Sequence, residues 1–331
     1  MKIIKLLSIV LCIHLFACNR QEATLTDNAR ENTNMDKIEY IDRTSGERKT
    51  ENVPSEGTLK WLYTSGSGKA ALQLLFKRKI VSALGGWYMN TAFSSKRIPG
   101  FVKDQNIDLS EYRRSNIEDY HSFNDFFYRK IKPEVRPIEA EIVSPADGKI
   151  LVFPSQKDLS SFFVKGAEFT LATFLQDKNL AKKYVNGSMA IIRLAPADYH
   201  RYHFPANGIA SQSVKINGHY FSVSPLALRG SLRIFCENKR EHCTLSTKEY
   251  GDILIVDVGA TMVGGITQTY PANSEVKKGD EKGYFSFGGS TLVLLFEKGT
   301  ITFDADLIEN TKKSMETTVK VGEKIASSGK T

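Results

Sequence analysis

Ser290 follows Gly288 and Gly289 and precedes the near-continuous apolar run TLVLLF, so it reads as a serine held in a tight turn that feeds a buried strand. The two glycines leave the Gly289 carbonyl unshielded and let the backbone take strained angles. The chain has six histidines, and two of them, His200 and His203, lie three apart in DYHRYHFPANG, where an apolar run ends. Asp147 sits in SPADGK, between two strand-like halves. An aspartate that orients a histidine, a histidine that deprotonates a serine and a serine that attacks a carbonyl are the parts of a nucleophilic triad. Asp147, His203 and Ser290 occur in that order, each on a turn beside a strand. A hydrolase displays its serine on an exposed elbow of the G-x-S-x-G kind, which FGGST is not, so the neighbouring Gly289 carbonyl is the nearer target. The histidine pair has no matching carboxylate or cysteine cluster; no metal is expected, and general acid–base work is the stronger role. Taken singly these are ordinary sequences, since Gly-Gly-Ser and Asp-Gly are common in turns.

The elements that must position these residues are mostly strands. Glu141 to Phe153 reads as two strand halves around Pro145–Gly148, and Met189 onward as an apolar strand that runs into the histidine loop. Further short apolar or β-branched runs cover Ile209 to Ile216, Leu232 to Phe235, Ile253 to Val258, Met262 to Gln268 and Val319 to Ile325. Thr300 to Phe303 is expected to pair with Ser290 to Phe296 through Glu297-Lys298-Gly299. Ile38 to Val53 reads as a small hairpin with a Ser-Gly turn. Helical signals lie at Leu171 to Tyr184 and at Tyr120 to Ile138, where Phe123, Phe126 and Phe127 make a docking face before Pro133 and Pro137 break it. The fold class is α+β, with N-terminal helices packed on a mostly antiparallel β core.

A chain of 331 residues with 41% hydrophobic content can bury a large core, which excludes disordered and fibrous classes. Its net charge of +8 is concentrated between Gly57 and Lys103, where eight basic residues stand without one Asp or Glu. From Lys69 to Leu84, Leu72, Leu75, Phe76, Ile80 and Leu84 recur at helical spacing, bracketed by Trp61, Tyr63, Trp87 and Tyr88. A basic amphipathic helix with aromatic ends fits an anionic membrane surface, and a helix packed on its own domain fits the same periodicity. No nucleic-acid module accompanies the charge. Residues 1–17 have a basic start and an apolar run too short for a span, which is the pattern of a signal peptide. Leu15-Phe16-Ala17-Cys18 is similar to a bacterial lipobox, with Cys18 as the lipidated residue. Residues 18–36 are polar and read as a tether. Cys236 and Cys243 flank the polar stretch ENKREH, read as a turn, and either pair across a hairpin as a disulfide or remain two thiols.

FNDFFYRKIKPEVRPI, SPADGK, DYHRYHFPANG and FGGST, in this order and at these separations, resemble the phosphatidylserine decarboxylase family, in the subgroup with GGST rather than LGST at its cleavage site. The similarity covers about residues 37–328; only the lipobox-like start is foreign to the family pattern. The resemblance implies a proenzyme that cuts itself between Gly289 and Ser290. Ser290 attacks the Gly289 carbonyl with help from His203 and Asp147, and β-elimination leaves residue 290 as a pyruvoyl cofactor. That ketone would form a Schiff base with the substrate amine, and His200 is assigned to the decarboxylation step. The expected reaction converts phosphatidylserine to phosphatidylethanolamine and carbon dioxide. Residues 37–140 would be a helical membrane-associating region and residues 141–331 the catalytic β-rich domain. The two product chains would stay together, with a homo-oligomer left open, on a membrane and outside the cytoplasm. The alternatives are a pyruvoyl-dependent decarboxylase of a free amino acid and an unprocessed binding lipoprotein on the same fold.

Overall fold

The computed structural model describes residues 38–51, 85–155, 170–218, 236–259 and 265–329. The leader, Cys18, the tether, the basic helix with Trp61 and Tyr63, and the run Leu232 to Phe235 lie outside the described residues. Strands in chain order are β1 (Glu39–Ile41), β2 (Arg48–Thr50), β3 (Ile142–Val143), β4 (Gly148–Phe153), β5 (Ser188–Leu194), β6 (Arg201–His203), β7 (Gly208–Ala210), β8 (Val214–Ile216), β9 (Arg240–Ser246), β10 (Asp252–Gly259), β11 (Ile266–Gln268), β12 (Ser274–Val276), β13 (Glu281–Phe285), β14 (Ser290–Phe296), β15 (Ile301–Phe303), β16 (Glu316–Val319) and β17 (Lys324–Ser328). The helices are α1 (Ile98–Asp104), α2 (Phe123–Phe127), α3 (Leu171–Leu175), α4 (Lys178–Lys183) and α5 (Ala305–Lys312). Among the described residues no helix is long and apolar enough to cross a membrane.

The main sheet runs β12-β7-β9-β10-β14-β5-β4-β16-β1-β2, with β8 also on β9. Its described pairings are antiparallel except for β1 on β16. Two three-stranded sheets, β11-β13-β6 and β15-β17-β3, complete the β core. The family fold anticipated from the motifs, a mixed α+β architecture dominated by antiparallel pairing, is the one observed.

β14 is central, and its apolar run follows from that place, because both of its faces are covered. Leu292, Leu294 and Phe296 join Ile253 and Ile255 in one core. Val293 and Leu295 join Leu254, Val256 and Val258 in the other, under α3. Each such side chain contributes about 1.5–3 kcal/mol when fully buried. β10 and β5 occupy both hydrogen-bonding edges of β14.

That occupancy corrects one expectation. β15 has no edge of β14 to join and pairs instead with β17, from Ile301↔Ser328 to Phe303↔Ala326. Two other runs are broken where one strand was expected. Val319 to Ile325 turns at Gly322, whose φ of +88° is a left-handed conformation that favours glycine. Ile209 to Ile216 divides into β7 and β8, which meet β9 at different registers. ENKREH is not a turn, since Arg240 already begins β9. Cys243 therefore points into the first core, while Cys236 packs against the second, and no disulfide joins them. The hairpin at Ile38 to Val53 forms as β1 and β2.

α2 is short but well specified. The Ser122 hydroxyl caps it by accepting from the Asp125 N–H at 3.2 Å, and Phe123, Phe126 and Phe127 are all buried. It docks on the turn between β13 and β14: the Phe287 ring lies 5.0 Å from Phe123 and 5.1 Å from Phe127, and the Phe287 N–H donates to Asn124 Oδ1 at 2.7 Å.

Candidate active site

The turn Ser286–Gly289 joins β13, in the small sheet, to β14, in the main one. Gly288 has φ of +142°, inside the region that L side chains rarely adopt, so a glycine is required there. Ser290 is the first residue of β14, paired to Leu194 of β5 and Gly259 of β10, and is fully buried. Its Oγ makes no hydrogen bond among the described residues, nor does Thr291 Oγ1 beside it. A hydroxyl in this condition carries a desolvation cost of about 1–3 kcal/mol.

His200 is held by the loop that follows β5. Asp198 Oδ2 accepts from the Ala195 N–H at 2.7 Å and from Lys149 Nζ at 3.0 Å, closing the loop onto β4. Burial pushes the Asp198 carboxyl up, but the Lys149 ammonium and the Ala195 N–H hold it below the usual carboxylate range. The Asp198 carbonyl accepts from His200 Nδ1 at 2.9 Å. A carbonyl can only accept, so the proton of neutral His200 is on Nδ1 and the Nε2 lone pair is available. Nε2 is buried and has no partner among the described residues. The ring lies 3.9 Å from Phe127, and the His200 carbonyl accepts from the Phe285 N–H at 3.0 Å. Burial pushes His200 down to about 4, so the ring is a neutral base at physiological pH.

His203 and Asp147 are near one another but not bonded. The His203 N–H donates to the Pro145 carbonyl, two residues from Asp147. The His203 ring donates from Nδ1 to the Gly279 carbonyl at 2.8 Å, while Nε2 meets the Tyr199 hydroxyl at 3.3 Å. Burial holds His203 below its ordinary value. Asp147 is taken by Arg136, whose Nε and a terminal nitrogen bond both carboxylate oxygens, the shortest contact being 2.7 Å. The Val321 N–H adds a bond of 2.8 Å, and Glu111 accepts from the same guanidinium at 2.9 Å.

The fold thus brings His200 against the turn that precedes Ser290, and His203 beside the loop that carries Asp147. No hydrogen bond links His203 to Asp147 or to Ser290 in this conformation. Arg136, Asp198, Lys149 and Tyr199 were not singled out from sequence. All four do lie inside the motifs KPEVRPI, SPADGK and DYHRYH, and a polar or charged residue at fixed distance from a candidate histidine or aspartate was the available signal. Among the described residues no three His, Cys, Asp or Glu side chains converge on a metal-sized site.

A family model described as phosphatidylserine decarboxylase matches residues 123–327 of the chain. A phosphatidylserine decarboxylase proenzyme of Fusobacterium nucleatum is 55% identical over 294 residues, 88% of this chain and 98% of the relative. The proenzyme of the same name from Chlamydia caviae is 44% identical over 297 residues, 89% of this chain and 99% of the relative. That of Clostridium novyi is 46% identical over 278 residues, 83% and 94% of the two chains.

Proposed function

The chain belongs to the phosphatidylserine decarboxylase family, and from that premise we propose that it is a proenzyme carboxy-lyase which cuts itself between Gly289 and Ser290 and then decarboxylates phosphatidylserine to phosphatidylethanolamine. The observation that carries the self-cleavage reading is Ser290: a buried hydroxyl with no hydrogen bond among the described residues, one residue beyond a two-glycine turn with left-handed backbone.

In the first step Ser290 Oγ bonds to the Gly289 carbonyl carbon, the amide C–N bond breaks, and the hydroxyl proton passes through a base to the departing nitrogen. An ester joins Gly289 to the residue 290 side chain. A base then removes the α-proton of residue 290, the Cβ–Oγ bond breaks, and the chain ending in the Gly289 carboxylate leaves. Water hydrolyses the resulting terminal enamine, through its imine tautomer, to a ketone with loss of ammonia. We assign the base of cleavage to His203 with Asp147 in support; for this, Tyr199 must release His203 Nε2. A pyruvoyl group fits residue 290, because the Ser290 side chain gives up no hydrogen bond among the described residues on conversion. The group supplies an electron sink for the pair released when carbon dioxide departs. His200, neutral and with Nε2 unpartnered, is assigned to that step, at the substrate carboxylate or at the carbon that must regain a proton.

Residues 85–103 support a membrane-surface substrate. Trp87 and Phe93 are 67% and 63% exposed, with Lys96 Nζ 4.8 Å above the Phe93 ring and Arg97 near Tyr88. Exposed aromatics beside basic residues suit an anionic interface, where each cation contributes about 1 kcal/mol. With the lipobox-like Cys18, we read the protein as lipid-anchored, outside the cytoplasm, with the membrane-associating region inside residues 37–140 except for β1 and β2, which extend the main sheet, and 141–331 as the catalytic domain. The test is carbon dioxide release from phosphatidylserine vesicles compared with soluble serine and other free amino acids. Turnover of vesicles alone is expected. Turnover of a free amino acid alone would replace this reading with a soluble-substrate decarboxylase.

A further inference from the structure

Lys282 and Asp257 form an ion pair with both side chains wholly buried, and the chemistry assigned above uses neither. Lys282 is on β13, Asp257 on β10. Gln268, on β11, bonds to both: its Oε1 accepts from Lys282 Nζ at 3.0 Å, and its Nε2 donates to Asp257 Oδ2 at 2.7 Å. Next to Lys282, Gly283 is packed so closely that a Cβ would stand 2.3 Å from the Thr267 carbonyl oxygen and 2.7 Å from the Tyr202 hydroxyl. β13 is therefore fixed within its own small sheet at this point.

The place of the pair in the topology gives it meaning. β13 ends and β14 begins on either side of the scissile turn, yet the two strands do not pair. β13 bonds to β11 and β6, and β14 to β10 and β5. Asp257 faces Leu292 across the β10–β14 ladder, two residues along from the Gly259–Ser290 pair. Neighbours of this diagonal kind stand about 7–8 Å apart, on the same sheet face. Lys282 thus references the upstream flank of the turn to the strand that carries the register of the downstream flank.

An apolar pair of the same volume would serve stability about as well as a buried ion pair. It would not set direction, and the small sheet, with β13 fixed inside it, could shift against β10. A turn of four residues with a left-handed Gly288 gives Ser290 Oγ little tolerance, since a misplacement of about 1 Å can cost about 10²-fold in rate. We propose that the Lys282–Asp257–Gln268 network is a positioning clamp that aligns the Gly289–Ser290 bond for self-cleavage, a proposal that rests on the self-cleavage reading above.

The test replaces the pair with apolar residues, Lys282→Met with Asp257→Leu, and follows precursor disappearance on a gel, the melting temperature and carbon dioxide release per pyruvoyl group formed. The clamp predicts a melting temperature within a few degrees of the parent, cleavage slowed at least tenfold, and a smaller fall in turnover per pyruvoyl group. A merely structural pair would lower melting temperature and yield without separating the two rates. Should the double variant not fold, Asp257→Asn keeps the shape but frees the ammonium to turn to Glu241 on β9. Cleavage slowed about threefold is then expected. Parent-like cleavage in a folded variant would overturn the clamp alone, whereas an uncleaved parent chain would overturn the self-cleavage reading and the clamp with it.

Discussion

Asp147 and Ser290 are both buried, but the first has both carboxylate oxygens bonded, by the Arg136 guanidinium and the Val321 N–H, while Ser290 Oγ, Thr291 Oγ1 and His200 Nε2 have no partner among the described residues. Asp147 is closed in by charge-assisted bonds, whereas Ser290 Oγ and His200 Nε2 are polar atoms that the fold has desolvated and left without a partner among the described residues. Satisfied groups hold shape. An unsatisfied buried group costs about 1–3 kcal/mol, and at Ser290 and His200 the proposed reaction gives that cost a use.

The largest effect expected from breaking this contrast is at Ser290. Ser290→Ala should leave a single intact chain with no decarboxylase activity, and splitting of that variant at the same bond would sink the self-cleavage proposal. Next is His200→Ala, which should cleave but lose about 10²–10⁴-fold in decarboxylation, the range of a missing general acid or base. His203→Ala and Asp147→Asn should instead slow or stop cleavage. If His200→Ala blocks cleavage and His203→Ala does not, the roles of the two histidines are exchanged.

The satisfied corner is tested by Arg136→Met in the Ser290→Ala background, which is expected to stay a single chain. Breaking one partner of a buried pair leaves Asp147 uncompensated and should cost about 3–5 kcal/mol in denaturant titration. A loss below 1 kcal/mol would show that the fork is not what holds this corner.

A smaller effect follows from pH. In the folded chain His200 titrates near 4, against an ordinary 6.5, because burial disfavours its charged form. As pH falls below 6.5 the unfolded chain takes up that proton first, so stability drops through the window from 6.5 to 4 and is independent of this group above it. The full effect is about 3 kcal/mol. Comparing Ser290→Ala with Ser290→Ala/His200→Gln at pH 7 and pH 4.5 isolates it: the chain that keeps His200 should lose more on acidification, and parallel losses would contradict the burial argument. The smallest effect is at the surface, where Trp87→Ala with Phe93→Ala should weaken binding to anionic vesicles several-fold and leave turnover of a detergent-dispersed substrate within twofold.

The sequence made the periodic and local features legible. Alternation and turn residues located β1–β2, β4, β5, β10 and β14, and three phenylalanines at helical spacing located α2. Strand partners were not legible where they depended on which edges were already filled. Hence β15 was expected on β14, when β10 and β5 occupy it, and Cys236 and Cys243 were expected near a common turn, when they serve opposite faces of one sheet. The four proposed site residues came from the order and spacing of motifs. Their holders did not, because Arg136–Asp147, Lys149–Asp198 and Lys282–Asp257 are pairings between elements, and no periodicity records which charge meets which.

Whether this chain makes its own reactive group by cutting itself at Ser290 is read from the intact mass of the purified protein. Two chains are expected, one ending at Gly289 and one beginning with a pyruvoyl group in place of Ser290. A single chain with the mass of the uncut precursor, after incubation under conditions in which it is folded, would contradict self-cleavage.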